Sequence, residues 1–343
     1  MNMAEIKPNY DTKRKKLADI IPLAHPFTVY IEQTKYCNFK CFYCIHSTRD
    51  EAGGEFQKLG HRMMHMDEAY FDKIVHDLQE FPKGGVKRIV FSGLGEPLTN
   101  PLLPAFVKKI VDADIAGRVE VITNGLLLTP EKSDALVAAG ITNINISVQG
   151  LDAVGYEKTC GVRIDFEQYL ENLRYLFAHK KDTAIYIKAI DATVPTKEEQ
   201  ERFLSLFSPM ADRIYIEHLV VMQQQMEDLK GVVDGSKNFY GEELDLERKV
   251  CAQSFYFLQI GCEGHTFPCP VPGLGKGLSM GSAKEQSLVE IWNGPKRRAF
   301  LRMLLQKRKD EVPECRGCTC FNAINNPAED LDADAERLLP LFS

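Results

Sequence analysis

The chain has no apolar run approaching the roughly 20 residues that a membrane-spanning helix requires, and no N-terminal pattern that marks a secretory signal. It also lacks a long basic block. The 42 Lys and Arg are outnumbered by 48 Asp and Glu, for a formal charge of −6, which argues against tight nonspecific binding to nucleic acid. The short run Lys13-Arg14-Lys15-Lys16 reads as solvated surface, and no internal repeat is visible. What remains is a chain of 343 residues with 44% apolar content, enough for one large domain and a smaller one. It carries ten cysteines. Without a secretory signal, these read as metal ligands or reactive thiols of a cytoplasmic protein rather than as bridges.

Cys37, Cys41 and Cys44 sit in the spacing C-x3-C-x2-C with no fourth cysteine nearby. A cubane iron–sulfur cluster normally takes four thiolates. Three would hold three irons and leave the fourth open, which implies chemistry rather than structure alone. A structural zinc site fits less well, because it usually pairs C-x2-C with a second doublet and fills all four positions. A disulfide framework belongs to small secreted domains.

From residue 28 onward, β-rich runs alternate with helical patterns. The strand candidates are Thr28–Glu32, Arg88–Ser92, Val119–Thr123, Asn143–Val148, Ile185–Ile190 and Arg213–His218. Amphipathic stretches lie between them: Asp67–Phe81, Leu103–Val111, Glu131–Ala138, Phe166–Phe177 and Lys197–Leu206. Six βα units in series predict a parallel sheet with right-handed crossovers. Six fall short of the eight of a closed barrel, so the expected fold is α/β, a partial (β/α)6 TIM-like barrel with its active face at the C-terminal strand ends. The predicted organisation is an N-terminal extension (1–24), the barrel (25–220), a polar connector (221–250) that includes Gln223-Gln224-Gln225, a cysteine-rich domain (251–320) and a tail (321–343). The cysteine-rich part predicts a hairpin, Phe257–Ile260 and His265–Cys269 around Glu263-Gly264, and a helix at Ser287–Trp292. The tail, acidic at first and apolar over Leu338–Phe342, predicts a short docked helix.

At Cys37, Cys41 and Cys44, with Tyr43 before the last of them, the chain resembles the radical S-adenosylmethionine (SAM) superfamily. The triplet follows the first strand, where that family places it. Gly93-Leu94-Gly95-Glu96-Pro97 resembles the family's Gly-Gly-Glu-Pro motif, with Leu94 replacing a Gly. Thr123-Asn124-Gly125 ends the third strand, and Ile146-Ser147-Val148-Gln149-Gly150 resembles I-S-x-D-G with Gln149 replacing the Asp. The resemblance covers about residues 25–220. It implies a SAM-binding [4Fe-4S] cluster held by Cys37, Cys41 and Cys44, and a 5′-deoxyadenosyl radical that takes hydrogen from a C–H bond. It further implies that Gly93, Gly95 and Glu96 line the methionine amino group, where a Cβ at the glycine positions would obstruct the ligand. Tyr43, Asn124, Ser147 and Gln149 are the remaining expected SAM contacts. An external electron donor such as flavodoxin or ferredoxin is implied.

Cys251, Gly264 and Cys269, followed by Cys315-x2-Cys318, resemble the SPASM/twitch extension of one branch of this superfamily, as do Ser287–Asn293 and Pro313-Glu314-Cys315. The implied ligands of one auxiliary [4Fe-4S] cluster are Cys251, Cys269, Cys315 and Cys318, with zinc the alternative occupant. Cys262 and Cys320 read as spare thiols, Cys320 as a backup ligand. In resembling families one auxiliary cluster is frequent among small-molecule enzymes, including carbohydrate and aminocyclitol dehydrogenases and epimerases. The early start of the first strand, at Thr28, leaves little room for a peptide-recognition domain.

The expectation is therefore epimerisation or alcohol oxidation of a small polar, carbohydrate-like substrate, a sugar or surface-glycan precursor. A peptide- or protein-modifying enzyme and a noncatalytic metal-binding interaction protein are the alternatives. Tyr156–Gly161 stands where relatives often read Y-x-x-x-R-G, and Cys160 takes the Arg position. Cys160 is thus a candidate hydrogen donor exposed to the active site, set against a half-buried Cys that behaves as a small hydrophobe. Arg163 or Lys158 would then balance the methionine carboxylate. Tyr186 and Lys188 share one face of the fifth strand. Lys188 is a candidate anion contact, and Glu217 and His218 are candidate bases at the end of the sixth strand. His46 reads as packing beside the triplet.

Overall fold

The structure, a computed structural model, describes residues 3–9, 14–220, 229, 233–318, 320–323 and 326–342. Lys13 of the basic run, Gln223–Gln225 of the expected connector and Asn325 of the expected tail lie outside the described residues.

A strand absent from the sequence reading comes first, β1 (Glu5–Ile6). The six expected strands follow, agreeing at their ends within a residue: β2 (Thr28–Glu32), β3 (Arg88–Phe91), β4 (Arg118–Thr123), β5 (Asn143–Ser147), β6 (Ala184–Ile190) and β7 (Arg213–Glu217). Neighbours from β2 to β7 pair in parallel and in chain order. Sequential order means that every crossover steps the same way, and with right-handed crossovers the sheet curls into an open barrel. The crossovers carry α1 (Glu55–Lys58), α2 (Glu68–Gln79), α3 (Leu103–Asp112), α4 (Pro130–Ala138), α5 (Ala153–Cys160), α6 (Phe166–His179) and α7 (Lys197–Phe207). Their starts are set locally. Asp67, Thr129, Asp152, Asp165 and Thr196 each accept a first-turn N–H, and Thr196 forms a reciprocal capping box with Glu199.

The period-two alternation of the strands sorts their side chains. Val29, Ile31, Ile89, Phe91, Val121, Ile144, Ile146, Ile187 and Ile214 are buried in one core with the helices. The opposite face, the barrel lumen, is polar. At its N-terminal end Glu120, fully buried, accepts from Arg88 Nε and Nη2 at 2.6 and 2.8 Å and from Asn145 Nδ2 at 2.8 Å, and pairs with Arg118. Asn9, just beyond β1, reaches into this cluster. Its Nδ2 donates to Asn145, and its Oδ1 accepts from Arg118 and Arg213. The N-terminal segment therefore plugs the bottom of the barrel, and β1 pairs in parallel with β7.

The cysteine-rich part is joined to this sheet. After α8 (Gln253–Tyr256), β8 (Phe257–Gly261) pairs in parallel with β2 over its whole length. The expected hairpin continues with antiparallel β9 (His265–Phe267), and β10 (Gly281–Ser282) ends the ten-stranded sheet. α9 (Leu288–Trp292) starts on a Ser287–Glu290 capping box and α10 (Pro295–Leu305) follows. Trp292 donates to Leu23 O at 2.9 Å, and Arg297 stacks on its ring while bonding Ser254 O and Phe255 O. The tail docks as α11 (Ala335–Leu338), with Phe342 edge-on to Phe255. Among the described residues no helix is long and apolar enough to cross a membrane.

Replacing Glu120 by Ala leaves the half-buried Arg88 and Arg118 without their shared carboxylate. We expect a loss of about 1.5–3 kcal/mol in denaturant unfolding, the scale of lost hydrogen bonds to a charged group, because both arginines keep access to water.

Candidate active site

The chain leaves β2 at Glu32 straight into the cysteine loop. Arg49 donates to Cys37 O at 2.6 Å and Phe39 O at 3.0 Å, and Cys44 N donates to Cys41 O. Cys37, Cys41 and Cys44 are half-buried. Burial pushes the Cys44 thiol up to about 12 and Cys37 higher still, so binding iron has to displace their protons. His46 is buried and packs on Phe56, as the sequence suggested.

Glu96 joins three loops. Its N–H donates to Tyr36 O of the cysteine loop. Its carboxylate accepts from Thr123 Oγ1 at 2.6 Å, Asn124 N at 2.8 Å and Leu98 N at 3.0 Å. Burial raises its pKa against these bonds. The side chain expected to face a ligand is thus committed to holding the ends of β3 and β4 together. The glycines also answer to the protein itself. A Cβ at Gly95 would sit 2.4 Å from Thr34 O, and one at Gly93 2.5 Å from the Glu32 side chain. Asn124 donates to Asn38 Oδ1 at 2.7 Å, leaving Asn38 Nδ2 buried and without a partner. Tyr43 and Gln149, both expected at SAM, bond each other at 2.5 Å. Ser147 ends β5 in register with Lys188.

Three expectations change. Cys160 is fully buried at the end of α5, with its Sγ 3.8 Å from Cys41 Sγ, and is not exposed to an open face. His218 is held at both ring nitrogens, by Asp191 at 2.5 Å and Asp234 O at 2.9 Å, and is not free as a base. Lys158 and Arg163 lie at the surface. Glu217 stands at the rim, accepting from Tyr186 OH at 3.1 Å and Lys188 Nζ at 2.6 Å.

Cys251, Cys269, Cys315, Cys318 and Cys320 line a cavity of about 280 Å³, with Lys309 and Glu314. Cys262 is instead buried in the core. Burial pushes Cys251 up to about 11 and Cys315 to about 12, whereas hydrogen bonding by Cys320 holds Cys318 down to about 7. Among the described residues no three His, Cys, Asp or Glu side chains are gathered closely enough for a single ion. Thiols that line one cavity are the donor set that an iron–sulfur cluster takes. At the triplet, three thiols beside the orphaned Asn38 donor likewise suit an acceptor-rich cluster.

The sequence reading missed Lys309, which donates to Cys315 O and Cys318 O. It also missed a buried charged group at the end of β2. There Lys35 Nζ lies 3.0 Å from His61 Nδ1 and 3.2 Å from Glu263, with Glu32 beside it. No motif marks these residues. The one usable signal was a Lys and a Glu immediately flanking strands already identified.

Comparison with known proteins agrees with this geometry. The family model of the radical SAM superfamily matches residues 31–202, and that of the SPASM iron–sulfur cluster-binding domain matches residues 251–319. The chain belongs to the radical SAM superfamily. It is a radical SAM enzyme with a SPASM domain, and its cofactors are SAM with a [4Fe-4S] cluster and an auxiliary iron–sulfur cluster. A probable GTP 3′,8-cyclase of Methanococcus maripaludis is 38% identical over 133 residues, 38% of this chain and 40% of that protein. The match thus spans about two-fifths of that relative's length. A tungsten-containing aldehyde ferredoxin oxidoreductase cofactor-modifying protein of Pyrococcus furiosus is 24% identical over 334 residues, 87% of this chain and 88% of the relative. The crystal structure of BtrN with S-adenosylmethionine and 2-DOIA superposes with a TM-score of 0.56 at 18% identity, covering 85% of this chain and 92% of BtrN. That likeness is one of fold.

Glu96→Gln turns an amide N–H toward donors that now meet a carboxylate oxygen. Losing one such charge-assisted bond, about 1.5–3 kcal/mol, is expected to weaken SAM binding to the anaerobically reconstituted protein about 10- to 100-fold by equilibrium dialysis. Replacing Cys37 or Cys44 by Ala is expected to lower bound iron and sulfide by one cluster's share in metal analysis and leave the auxiliary share in place.

Proposed function

We propose that this enzyme oxidises an alcohol-bearing carbon of a small polar, carbohydrate-like substrate at the C-terminal rim of the barrel. The observation that supports this reading is where the five-cysteine cavity lies. Leu59 and Leu274 line both it and the charged pocket of Glu32, Lys35, His61 and Glu263 at the end of β2. A redox centre one side-chain layer from the rim is placed to receive the electron that oxidation releases. Epimerisation instead needs a hydrogen-atom donor at the rim, and Cys160 is buried.

In this reading Cys37, Cys41 and Cys44 hold the SAM-binding cluster, and Cys251, Cys269, Cys315 and Cys318 hold the auxiliary one. When bound, these cofactors supply a carbon radical that takes one hydrogen atom from the substrate carbon, and an acceptor for one electron. The chain handles the proton. Glu217, bonded to Tyr186 and Lys188, accepts it from the substrate hydroxyl, while Lys188 contacts an anionic group. One hydrogen atom, one proton and one electron leave, and a C=O bond forms. Gly93, Gly95, Asn124, Ser147 and the Tyr43–Gln149 pair shape the SAM pocket, with Glu96 bracing its loops. A one-electron donor such as flavodoxin or ferredoxin supplies the reducing equivalent, in a reducing, cytoplasmic setting.

The test is anaerobic incubation of reconstituted enzyme with SAM and either a small-molecule or a peptide fraction of cell extract. The small-molecule fraction is expected to stimulate 5′-deoxyadenosine release and yield a product two hydrogens lighter. Stimulation by the peptide fraction alone would move the assignment to peptide modification. With the incubation repeated in deuterated water, an unoxidised product carrying solvent deuterium at an inverted carbon would move it to epimerisation. Glu217→Gln is expected to lower product formation about 100-fold or more, the scale of a lost general base, with 5′-deoxyadenosine release retained.

A further inference from the structure

The contact between α5 and the cysteine loop is built from three neighbouring bonds. The last carbonyls of a helix have no partners within it. Here Thr159 O accepts from Phe42 N at 3.0 Å and Cys160 O from Lys40 N at 2.9 Å. The two donors flank Cys41. Gly161, with φ +65°, ends the helix in the left-handed conformation that glycine adopts without strain. Cys41 is thereby clamped against the final turn of α5, and its Sγ lies 3.8 Å from Cys160 Sγ. Cys160 is fully buried within an apolar cluster that includes Phe39, Tyr156 and Tyr169.

We propose that the Cys160 thiol donates a hydrogen bond to the Cys41 sulfur and thereby raises the reduction potential of the cluster that the triplet holds. The inference rests on Cys41 being a ligand of that cluster. An iron-bound Cys41 is a thiolate, so of the two sulfurs only Cys160 carries a hydrogen to share. Reduction adds one electron to the cluster and increases the negative charge on its sulfurs. A donor to such a sulfur stabilises the reduced form more than the oxidised one. A thiol is a weak donor in water. In a buried site away from competing water the same bond counts for more. No proton leaves Cys160 in the process, so it is a positioning residue rather than a catalytic one.

The test uses the full chain, anaerobically reconstituted, in a potentiometric titration followed by electron paramagnetic resonance without SAM. Two reduction waves are expected, one per cluster. Cys160→Ala and the volume-conserving Cys160→Val should move one wave to more negative potential, leave the other in place and retain the iron content. Cys160→Ser, which keeps a donor, should return that wave to or above its original position. Unchanged waves in both apolar variants overturn the proposal. So does loss of iron in Cys160→Ala and Cys160→Ser with retention in Cys160→Val at an unmoved potential, which would make the thiol a packing element. A Cys41→Ala control should lose the movable wave. If it keeps both waves, the ligand assignment of Cys41 fails, and the role given to Cys160 falls with it.

Discussion

Everything around the site depends on the parallel pairing of β2 with strands on both sides. β3 fixes one edge of it, β8 the other, and the register with β8 runs unbroken from Thr28 to Glu32. The cysteine loop begins where those ladders end. On one side β3 delivers Glu96, whose N–H and carboxylate tie that loop to the end of β4. On the other, β8 delivers the Gly261–His265 turn, and the segments on either side of the β8–β9 hairpin, Gln253-Ser254 and Pro268-Cys269, line the five-cysteine cavity. Two redox sites drawn from distant stretches of sequence are thus set by the hydrogen bonds of one strand. Parallel ladders occur almost only where both their faces are covered. Helices cover the outer face, and the inner face is filled by polar groups that satisfy one another.

The lumen accordingly has two distinct ends. At the bottom, Glu120 and Asn9 gather three arginines into a closed network. At the top, carboxylates and cations pair across strand ends, as with Lys188 and Glu217 or Lys35 and Glu263. A closed network at the N-terminal ends of barrel strands supports stability, and polar groups at the C-terminal ends are where barrel chemistry resides. The alternation that puts isoleucines and valines against the helices is the same one that places these charges inside.

The six barrel strands were legible because each is a β-branched run bounded by turns, with an amphipathic helix between it and the next. The cysteine spacing and strand-end motifs were legible because close backbone approach and metal ligation constrain residue type. β1 was not, since two residues offer no periodicity. That β8 would extend the barrel rather than found a separate unit was also hidden, because strand partnership across more than two hundred residues leaves no local trace. Cys160 shows the same limit at one position. The sequence set it after the fourth expected strand, at the Arg position of a resembling motif, without anticipating the helix α5 that it ends. Which way the thiol points depends on how that helix caps the cysteine loop, a tertiary fact. His218 was legible as a strand-end residue, but its partners Asp191 and Asp234 come from other loops.

An open barrel has two free sheet edges, and both are made here by strands of two residues, β1 and β10. A long exposed edge offers a row of unpaired backbone groups on which another chain can grow. A two-residue edge offers scarcely one repeat of that pattern. The N-terminal segment and the last strand of the cysteine-rich part therefore act as end-stops against edge-to-edge association. The sheet can remain open enough to admit a substrate without becoming a template for aggregation.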